Sequence, residues 1–260
     1  MKNTVMKNTL VQSRVAAHTV VSATENIFCL CLHVPAVAAV CRPGQFVMLY
    51  LGRGDLLLPR PISIHDAEGE HISLIYKVVG AGTAHLQTFK PGDALTLLGP
   101  LGNGFTLPAE RAHVALVGGG IGIPPLYFAL RKLGHCAVDA CLGYRDAAIL
   151  AEDFGKHRHC ANVSLASESG RHGLKGNVMD LLSGQTFDGI LACGPKPMLR
   201  AVAQWAQSHG IPCQVCMEER MACGLGTCMG CVAATADGYR RVCCEGPVFD
   251  ALTIEWGDEW

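Results

Sequence analysis

A small antiparallel β-barrel, then an α/β unit on a parallel sheet, then a compact cysteine-rich module is the architecture this sequence predicts. Three observations carry the prediction. Short apolar runs separated by tight-turn residues fill roughly the first hundred positions. Beyond Gly104, buried-type strands begin to alternate with helical patterns. From Glu218 onward periodicity fades and cysteine and glycine dominate. The expected divisions are residues 1–107, 108–217 and 218–260.

The barrel rests on six runs rich in Val, Ile and Leu, at 11–17, 27–34, 46–51, 62–65, 71–79 and 94–98. Turn chemistry separates several of them: Arg42-Pro43-Gly44, Arg53-Gly54-Asp55, Ala67-Glu68-Gly69 and Lys90-Pro91-Gly92-Asp93. Strands at this spacing suit a closed or nearly closed barrel. A helix-like segment at 84–89 follows the fifth run. The second unit opens with a buried strand at 113–117, a glycine cluster and a helix at 125–133. Strands at 137–142, 163–166 and 189–193 then alternate with helical patterns at 177–182 and 196–208, and a strand at 214–217 is expected to close the unit. No repeat or low-complexity segment interrupts this order.

Composition narrows the function classes. Apolar residues make up 50% and charged residues 17%, the balance of a chain with a sizeable core. A net charge of −1 gives no electrostatic footprint for nucleic acid and no polybasic membrane anchor. Residues 1–12 hold two lysines with no long apolar run behind them, so no signal peptide is read there. Apolar stretches elsewhere break before the ~18 residues of a membrane span. A cytoplasmic protein is the expectation.

The 14 cysteines do not suggest disulfides in a chain of this size without an export signal. They are concentrated late. Cys223-Gly-Leu-Gly-Thr-Cys228-Met-Gly-Cys231, then Cys243 after a gap of eleven, is C-x₄-C-x₂-C…C, the plant-type spacing for a [2Fe–2S] centre. Three thiolates must converge on a compact core from one loop while backbone N–H groups point at sulfur. Gly224, Gly226 and Gly230 permit such a loop. A returning segment at 239–244 is placed to bring the fourth ligand. Structural zinc is the alternative, but zinc sites usually pair cysteines as two C-x₂-C units. Spacing alone does not choose between Cys243 and Cys244. Cys213 and Cys216 read as buried or idle thiols, and Cys29, Cys31, Cys41, Cys136, Cys141 and Cys160 as small core residues.

Two further regions carry nucleotide-binding chemistry. Arg60-Pro61-Ile62-Ser63 places an arginine at a strand start, suited to a diphosphate. Gly80-Ala-Gly82-Thr83 leads into a helix-like segment, a second phosphate-type feature. Each read alone is also an ordinary turn. In the second unit, Val117-Gly118-Gly119-Gly120-Ile121-Gly122-Ile123-Pro124-Pro125 follows a strand and opens a helix, although Ile123 breaks a strict G-x-G-x-x-G pattern. Cys193-Gly194-Pro195-Lys196-Pro197-Met198 ends a later strand of the same sheet. Ligands of open parallel sheets sit beyond the carboxyl ends of the strands, so both loops are candidates for one pocket.

These parts in this order resemble the ferredoxin–NADP reductase superfamily. The closer resemblance is to one branch, the dihydroorotate dehydrogenase B electron-transfer subunits. It is carried by Arg60-Pro-Ile-Ser-Ile64, Leu98-Gly-Pro-Leu-Gly-Asn-Gly-Phe105, Glu218-Glu-Arg-Met-Ala-Cys-Gly-Leu-Gly-Thr-Cys-Met-Gly-Cys231 and Arg241-Val-Cys243-Cys-Glu-Gly-Pro-Val-Phe249. The resemblance runs from about Arg42 to Phe249. It implies FAD contacts at Arg60, Pro61, Ile62, Ser63, Ile75, Tyr76, Lys77, Gly82 and Thr83, and cluster ligands at Cys223, Cys228, Cys231 and Cys243. Gly118, Gly120, Gly122, Cys193, Gly194 and Pro195 are the candidates for NAD. The loop between Cys231 and Cys243 is shorter than that pattern leads one to expect, and Cys244 stands where a non-cysteine is expected.

The resemblance further implies an FMN-containing catalytic partner that oxidises dihydroorotate, with electrons passing through [2Fe–2S] and FAD to NAD⁺ in pyrimidine biosynthesis. A heterotetramer of two plus two is expected by the same analogy. No general acid or base is named, since the cofactors carry the chemistry. Cys193 is placed near the nicotinamide by analogy, with a packed core thiol as the other reading. Glu168 favours NAD through the ribose hydroxyls, whereas Arg171 would meet a 2′-phosphate; both are also readable as solvated loop charges. The rival functions are a generic flavin and iron–sulfur reductase serving an oxygenase, hydrogenase or ferredoxin, and a regulatory subunit with structural zinc.

Overall fold

The computed structural model describes residues 9–145 and 148–257. The reading of the amino terminus as lacking a signal peptide falls largely on residues 1–8, outside the described residues. The chain begins with β1 (Thr9–Ser22), β2 (Ile27–His33), α1 (Pro35–Ala38), β3 (Phe46–Tyr50), β4 (Arg60–Glu68), β5 (His71–Lys77), α2 (Ala81–Leu86) and β6 (Ala94–Leu101). The six strands close as β1-β2-β5-β4-β3-β6, every pair antiparallel. Leu30, Leu32, Val47, Leu49, Ile64, Ile72, Leu74 and Leu97 are fully buried in its interior. Along β1 the more buried Val11, Ser13 and Val15 alternate with the exposed Leu10, Gln12 and Arg14, the in–out alternation of a barrel wall.

The second unit runs β7 (His113–Gly119), α3 (Ile123–Lys132), β8 (Ala137–Tyr144), α4 (Ala151–Gly155), β9 (Cys160–Ser167), β10 (Leu174–Lys175), β11 (Gly189–Cys193), α5 (Lys196–Ser208) and β12 (Cys213–Cys216). Short 3₁₀ turns lie at Gly120–Gly122 and Val178–Leu181. After the cysteine loop come β13 (Val232–Thr235), β14 (Gly238–Arg241) and β15 (Val248–Asp250). The sheet order is β10-β9-β8-β7-β11-β12-β15. β7 and β11, at its middle, are buried almost throughout, as strands covered on both faces must be.

The expected strands are present, with shifted ends. α2 starts at Ala81, three residues before the expected helix-like segment, because the Thr83 hydroxyl accepts the N–H groups of Val79 and Gly80 at 2.9 and 3.2 Å. α3 starts at Ile123 and carries Pro124 and Pro125 in its first turn, where a missing N–H costs nothing. The helical pattern at 177–182 is a 3₁₀ turn whose Asn177 side chain accepts from Met179 N–H at 2.8 Å. β12 does not end the sheet. β15 adds antiparallel to it, Val215 opposite Phe249, so the last segment of the chain is built into the α/β sheet. The expected returning strand is β14, which stops at Arg241, and Cys243 falls in the turn beyond it.

The barrel and the sheet share their packing. Phe128 of α3 belongs to the barrel core, while Ile27, Ile75 and Phe105 from the barrel side pack into the core of the α/β unit. Arg131 of α3 pairs with Asp66 of β4. The cysteine module is seated similarly: Phe46, Met48, Leu98 and Leu101 share one cluster with Cys231, Val242 and Cys243. Among the described residues, no helix is long and apolar enough to cross a membrane.

Candidate functional site

Two cavities open where the barrel meets the carboxyl ends of the sheet strands. The first has a volume of about 560 Å³. Its barrel wall is Arg60, Pro61, Ile62 and Ser63 from β4, Ile75, Tyr76 and Lys77 from β5, and Thr83 from α2. Register explains the grouping, because the start of β4 and the end of β5 project from the same rim. Tyr76 is held from behind: its hydroxyl meets His18 Nε2 at 3.0 Å, and Phe28 stacks on its ring at 5.9 Å.

Gly82 does not line this cavity but acts through Arg60. A Cβ on Gly82 would overlap Nε, Cζ and Nη2 of Arg60, so the guanidinium lies flat on the glycine and donates to the Leu58 carbonyl. This cradle fits a dinucleotide's diphosphate: a planar cation held at the rim beside the α2 turn.

The far wall comes from the sheet: Gly122, Cys193, Gly194, Cys216 and the run from Met217 to Met221. Cys193 and Cys216 sit side by side on β11 and β12. The Cys193 thiol is pushed well above its ordinary pKa, first by its hydrogen bond with Cys216, then by burial and the Glu218 charge. It is therefore a neutral thiol at neutral pH, which suits a packing or orienting role and not nucleophilic catalysis.

The second cavity, of about 880 Å³, lies on the other side of Ile121 and Lys77, both of which line the two cavities. Gly119, Gly120 and Pro195 border it, with Gly143, Tyr144, Arg145, Glu168, Asn177, Met179 and Met198. The two glycine loops touch backbone to backbone. A Cβ on Gly122 would come within 2.6 Å of the Cys193 carbonyl, and one on Gly194 within 3.1 Å of Gly119 Cα. Gly118 lies deeper, its Cβ position closed by Ile123, Leu126 and Leu142, so it serves helix-on-strand packing and Gly119 takes the wall. Of the two residues weighed for the ribose, Glu168 borders the cavity and Arg171 is not among its lining residues. Glu25, Tyr144, Arg145 and Met179 carried no motif signal, whereas Met198 ends the Cys193–Met198 string. Lys77 pairs with Glu25 across the seam between the cavities.

The cysteine loop adjoins the first cavity. The strand-to-loop run that forms the cavity wall at Met217–Met221 continues within two residues to Cys223. Gly224 adopts φ +68°, and a Cβ there would come within 2.7 Å of Met48 Cγ, so the loop lies directly on the barrel. Desolvation alone would raise the Cys223 thiol. The N–H groups of Cys228, Leu225 and Thr227 and the Cys228 thiol outweigh it and bring the pKa to about 6. The Leu225 N–H lies 3.4 Å from this sulfur. Cys231 sulfur accepts from Cys243 N–H at 3.5 Å. The Cys243 thiol is pushed up by burial and then by its neighbours Cys231 and Cys244.

The thiols therefore gather as two groups, Cys223 with Cys228 and Cys231 with Cys243. Backbone N–H donors aimed at sulfur and paired thiols fit a two-iron cluster, in which each iron takes two thiolates. Cys244 adjoins the second group: its sulfur is 3.7 Å from that of Cys243 and close-packed on Gly226.

Comparison with known proteins agrees with this layout. A family model for the iron–sulfur cluster binding domain of dihydroorotate dehydrogenase B matches residues 218–255, and one for an oxidoreductase FAD-binding domain matches residues 12–105. The dihydroorotate dehydrogenase B (NAD(+)) electron transfer subunit of Clostridium acetobutylicum is 40% identical over 208 residues, covering 80% of this chain and 84% of that protein. That of Shouchella clausii is 39% identical over 248 residues, covering 89% and 94%. Among solved structures, an NADH-dependent reduced ferredoxin-NADP oxidoreductase superposes with a TM-score of 0.83 at 27% identity, covering 98% of this chain and 92% of that one. A ferredoxin NADP+ reductase from Neisseria gonorrhoeae, with a TM-score of 0.66 at 16% identity over 77% of this chain and 92% of that one, shares the fold.

Proposed function

This chain belongs to the dihydroorotate dehydrogenase B electron transfer subunits, and from that premise we propose how its cavities and cysteine loop divide the work. It is a flavin and iron–sulfur component of an oxidoreductase, acting with a catalytic subunit. A [2Fe–2S] cluster held by the cysteine loop would supply one-electron transfer, and an FAD held in the first cavity would supply the conversion between single electrons and a hydride for NAD⁺.

The protein's own residues bind, orient and insulate. Arg60 and the α2 turn hold the FAD diphosphate, while Ile62, Ser63, Tyr76 and Lys77 position its ring system. Gly119, Gly120, Gly194 and Pro195 let the nicotinamide nucleotide approach beyond the carboxyl ends of β7 and β11, and Glu168 accepts from its ribose hydroxyls. Cys223, Cys228, Cys231 and Cys243 hold the cluster, with Cys244 outside the ligand set. The observation that carries this reading is continuity. One run of chain forms the wall of the first cavity at Met217–Met221 and reaches the cluster loop at Cys223, which itself packs on the barrel.

An FMN-containing partner, a two-plus-two assembly and a cytoplasmic location belong to the same proposal. The test is to isolate the chain with its native partner and assay NAD⁺ reduction driven by dihydroorotate. Activity with a co-purifying FMN protein is expected. A complex coloured by flavin and iron–sulfur but inert towards dihydroorotate would leave the cofactor reading standing and return the pathway assignment to the generic reductase.

A further inference from the structure

We propose that Arg241, aimed by Glu245, is a positioning residue of the cluster site that fixes the Cys223–Cys228 loop and makes the cluster easier to reduce. The inference rests on the iron–sulfur reading above. Arg241 ends β14, two residues before Cys243. Its Nη1 donates to the Gly226 carbonyl at 3.0 Å, inside the four-residue loop between Cys223 and Cys228. Its Nε donates to both carboxylate oxygens of Glu245, at 3.1 and 3.0 Å, and Nη2 donates to Oε1. The Arg241 N–H donates to Oε2 of the same carboxylate at 2.6 Å, and the Arg241 carbonyl accepts from Cys244 N–H at 3.0 Å and Glu245 N–H at 2.8 Å.

Exposed ion pairs four residues apart usually contribute little. This one differs in being a fork. Nε and Nη2 both meet the Glu245 carboxylate, and the Nη1 hydrogen bond reaches across to the cysteine loop. Gly226 has φ +78°, and a Cβ there would lie 3.2 Å from Nη1 and 2.7 Å from Cys244 Sγ. Only glycine lets the carbonyl, the guanidinium and the Cys244 thiol meet at this point. The charge facing the cysteine sulfurs is the cation. Nη1 reaches into the Cys223–Cys228 loop at the Gly226 carbonyl and shares the space over Gly226 with Cys244 Sγ, itself 3.7 Å from Cys243 Sγ, whereas Glu245 is held on the Nε and Nη2 edge of the guanidinium. Reduction adds one negative charge to the cluster, so a fixed cation on that side favours the reduced form and the carboxylate behind it opposes.

The two charges therefore act with opposite signs, which separates tuning from mere scaffolding. The experiment uses the complex with the catalytic subunit, and first measures iron and sulfide content and the reduced-cluster paramagnetic signal. The midpoint potential then follows for Arg241→Gln, Arg241→Lys, Glu245→Gln and the double Gln variant.

Arg241→Gln should disfavour reduction by about tenfold, roughly 59 mV for one electron. Glu245→Gln should shift it the other way, and the double variant should lie between them. Arg241→Lys should keep most of the potential while losing iron faster, because a point charge cannot hold both Glu245 and the Gly226 carbonyl. Shifts of Arg241→Gln and Glu245→Gln in the same direction, or of less than about threefold in both, would overturn the inference. If Arg241→Gln fails to load iron, Glu245→Gln and Arg241→Lys carry the same sign test. Absence of iron and sulfide from the unaltered complex would instead strike the iron–sulfur reading itself.

Discussion

Gly82→Ala is expected to weaken FAD binding while leaving the apoprotein as stable as before, or slightly more so. The added methyl would occupy the space of the Arg60 guanidinium. The obstacle is the free end of a flexible side chain and not backbone, so the relief is for Arg60 to swing away. Position 82 lies in the first turn of α2, where no left-handed conformation is required and alanine is a better helix former than glycine by up to about 1 kcal/mol. Losing a charge-assisted contact to the diphosphate costs about 1.5–3 kcal/mol. The dissociation constant for FAD should therefore rise roughly 10- to 100-fold. Flavin fluorescence on titrating the apoprotein reads the affinity, and thermal unfolding without flavin reads the stability. A double-mutant cycle sharpens the test: with Arg60→Ala already present, Gly82→Ala should add no more than a few tenths of a kcal/mol to the loss. Unchanged FAD affinity in Gly82→Ala would refute the reasoning, as would full additivity with Arg60→Ala or a marked drop in apoprotein stability.

The ligand set predicts that Ser at Cys223, Cys228, Cys231 or Cys243 removes or destabilises the visible cluster spectrum while flavin stays bound, and that Cys244→Ser retains it. An iron assay on the five variants checks this, and loss of iron in Cys244→Ser alone would reassign the fourth ligand. Glu168→Gln should raise KM for NAD⁺ about 10- to 100-fold, the worth of one charge-assisted hydrogen bond of about 1.5–3 kcal/mol, and narrow the preference against NADP⁺. Steady-state kinetics with both nucleotides would detect it. Burial depresses the pKa of His65, which is stacked on Tyr127 at 4.8 Å and whose Nδ1–H donates to the Pro124 carbonyl at 2.9 Å across the barrel–sheet joint. A depressed histidine binds its proton more readily when unfolded. Its contribution is thus complete above about pH 6.5 and is lost as pH falls towards the lower folded value. Chemical denaturation at pH 7.5 and 5.5 should show a smaller loss of stability in His65→Gln than in the unaltered chain.

Elements whose physics is local were legible in the sequence. β2 and β5 announce themselves as short apolar runs between turns, β7 and β11 by continuous apolar runs, and the turns by Gly, Pro and Asp. The C-x₄-C-x₂-C spacing is likewise local, since three ligands in nine residues must converge whatever the rest of the chain does. Arg60 and Thr83 also stood out, although nothing in the sequence tied Arg60 to Gly82, because that contact joins a strand start to a helix start across a barrel rim.

The cavity walls were another matter. Arg145, Met179 and Met198 come from three separate segments that the register of β7, β8, β9 and β11 brings to one side, and Glu25 joins them from the β1–β2 turn of the barrel. The same register puts Cys193 beside Cys216, and packing sends Gly118 inward while Gly119 faces the cavity. β15, three residues long, is too short to carry a period and exists because β12 offers it an open edge. By itself the sequence determined the barrel strands, the longer sheet strands, the turns and the cysteine loop, whose runs and spacings span a few residues. The tertiary structure alone decided which side chains share a cavity, which acidic residue faces it and which charge faces the cysteines. Those depend on distances between segments far apart in the chain, set by strand register and close packing.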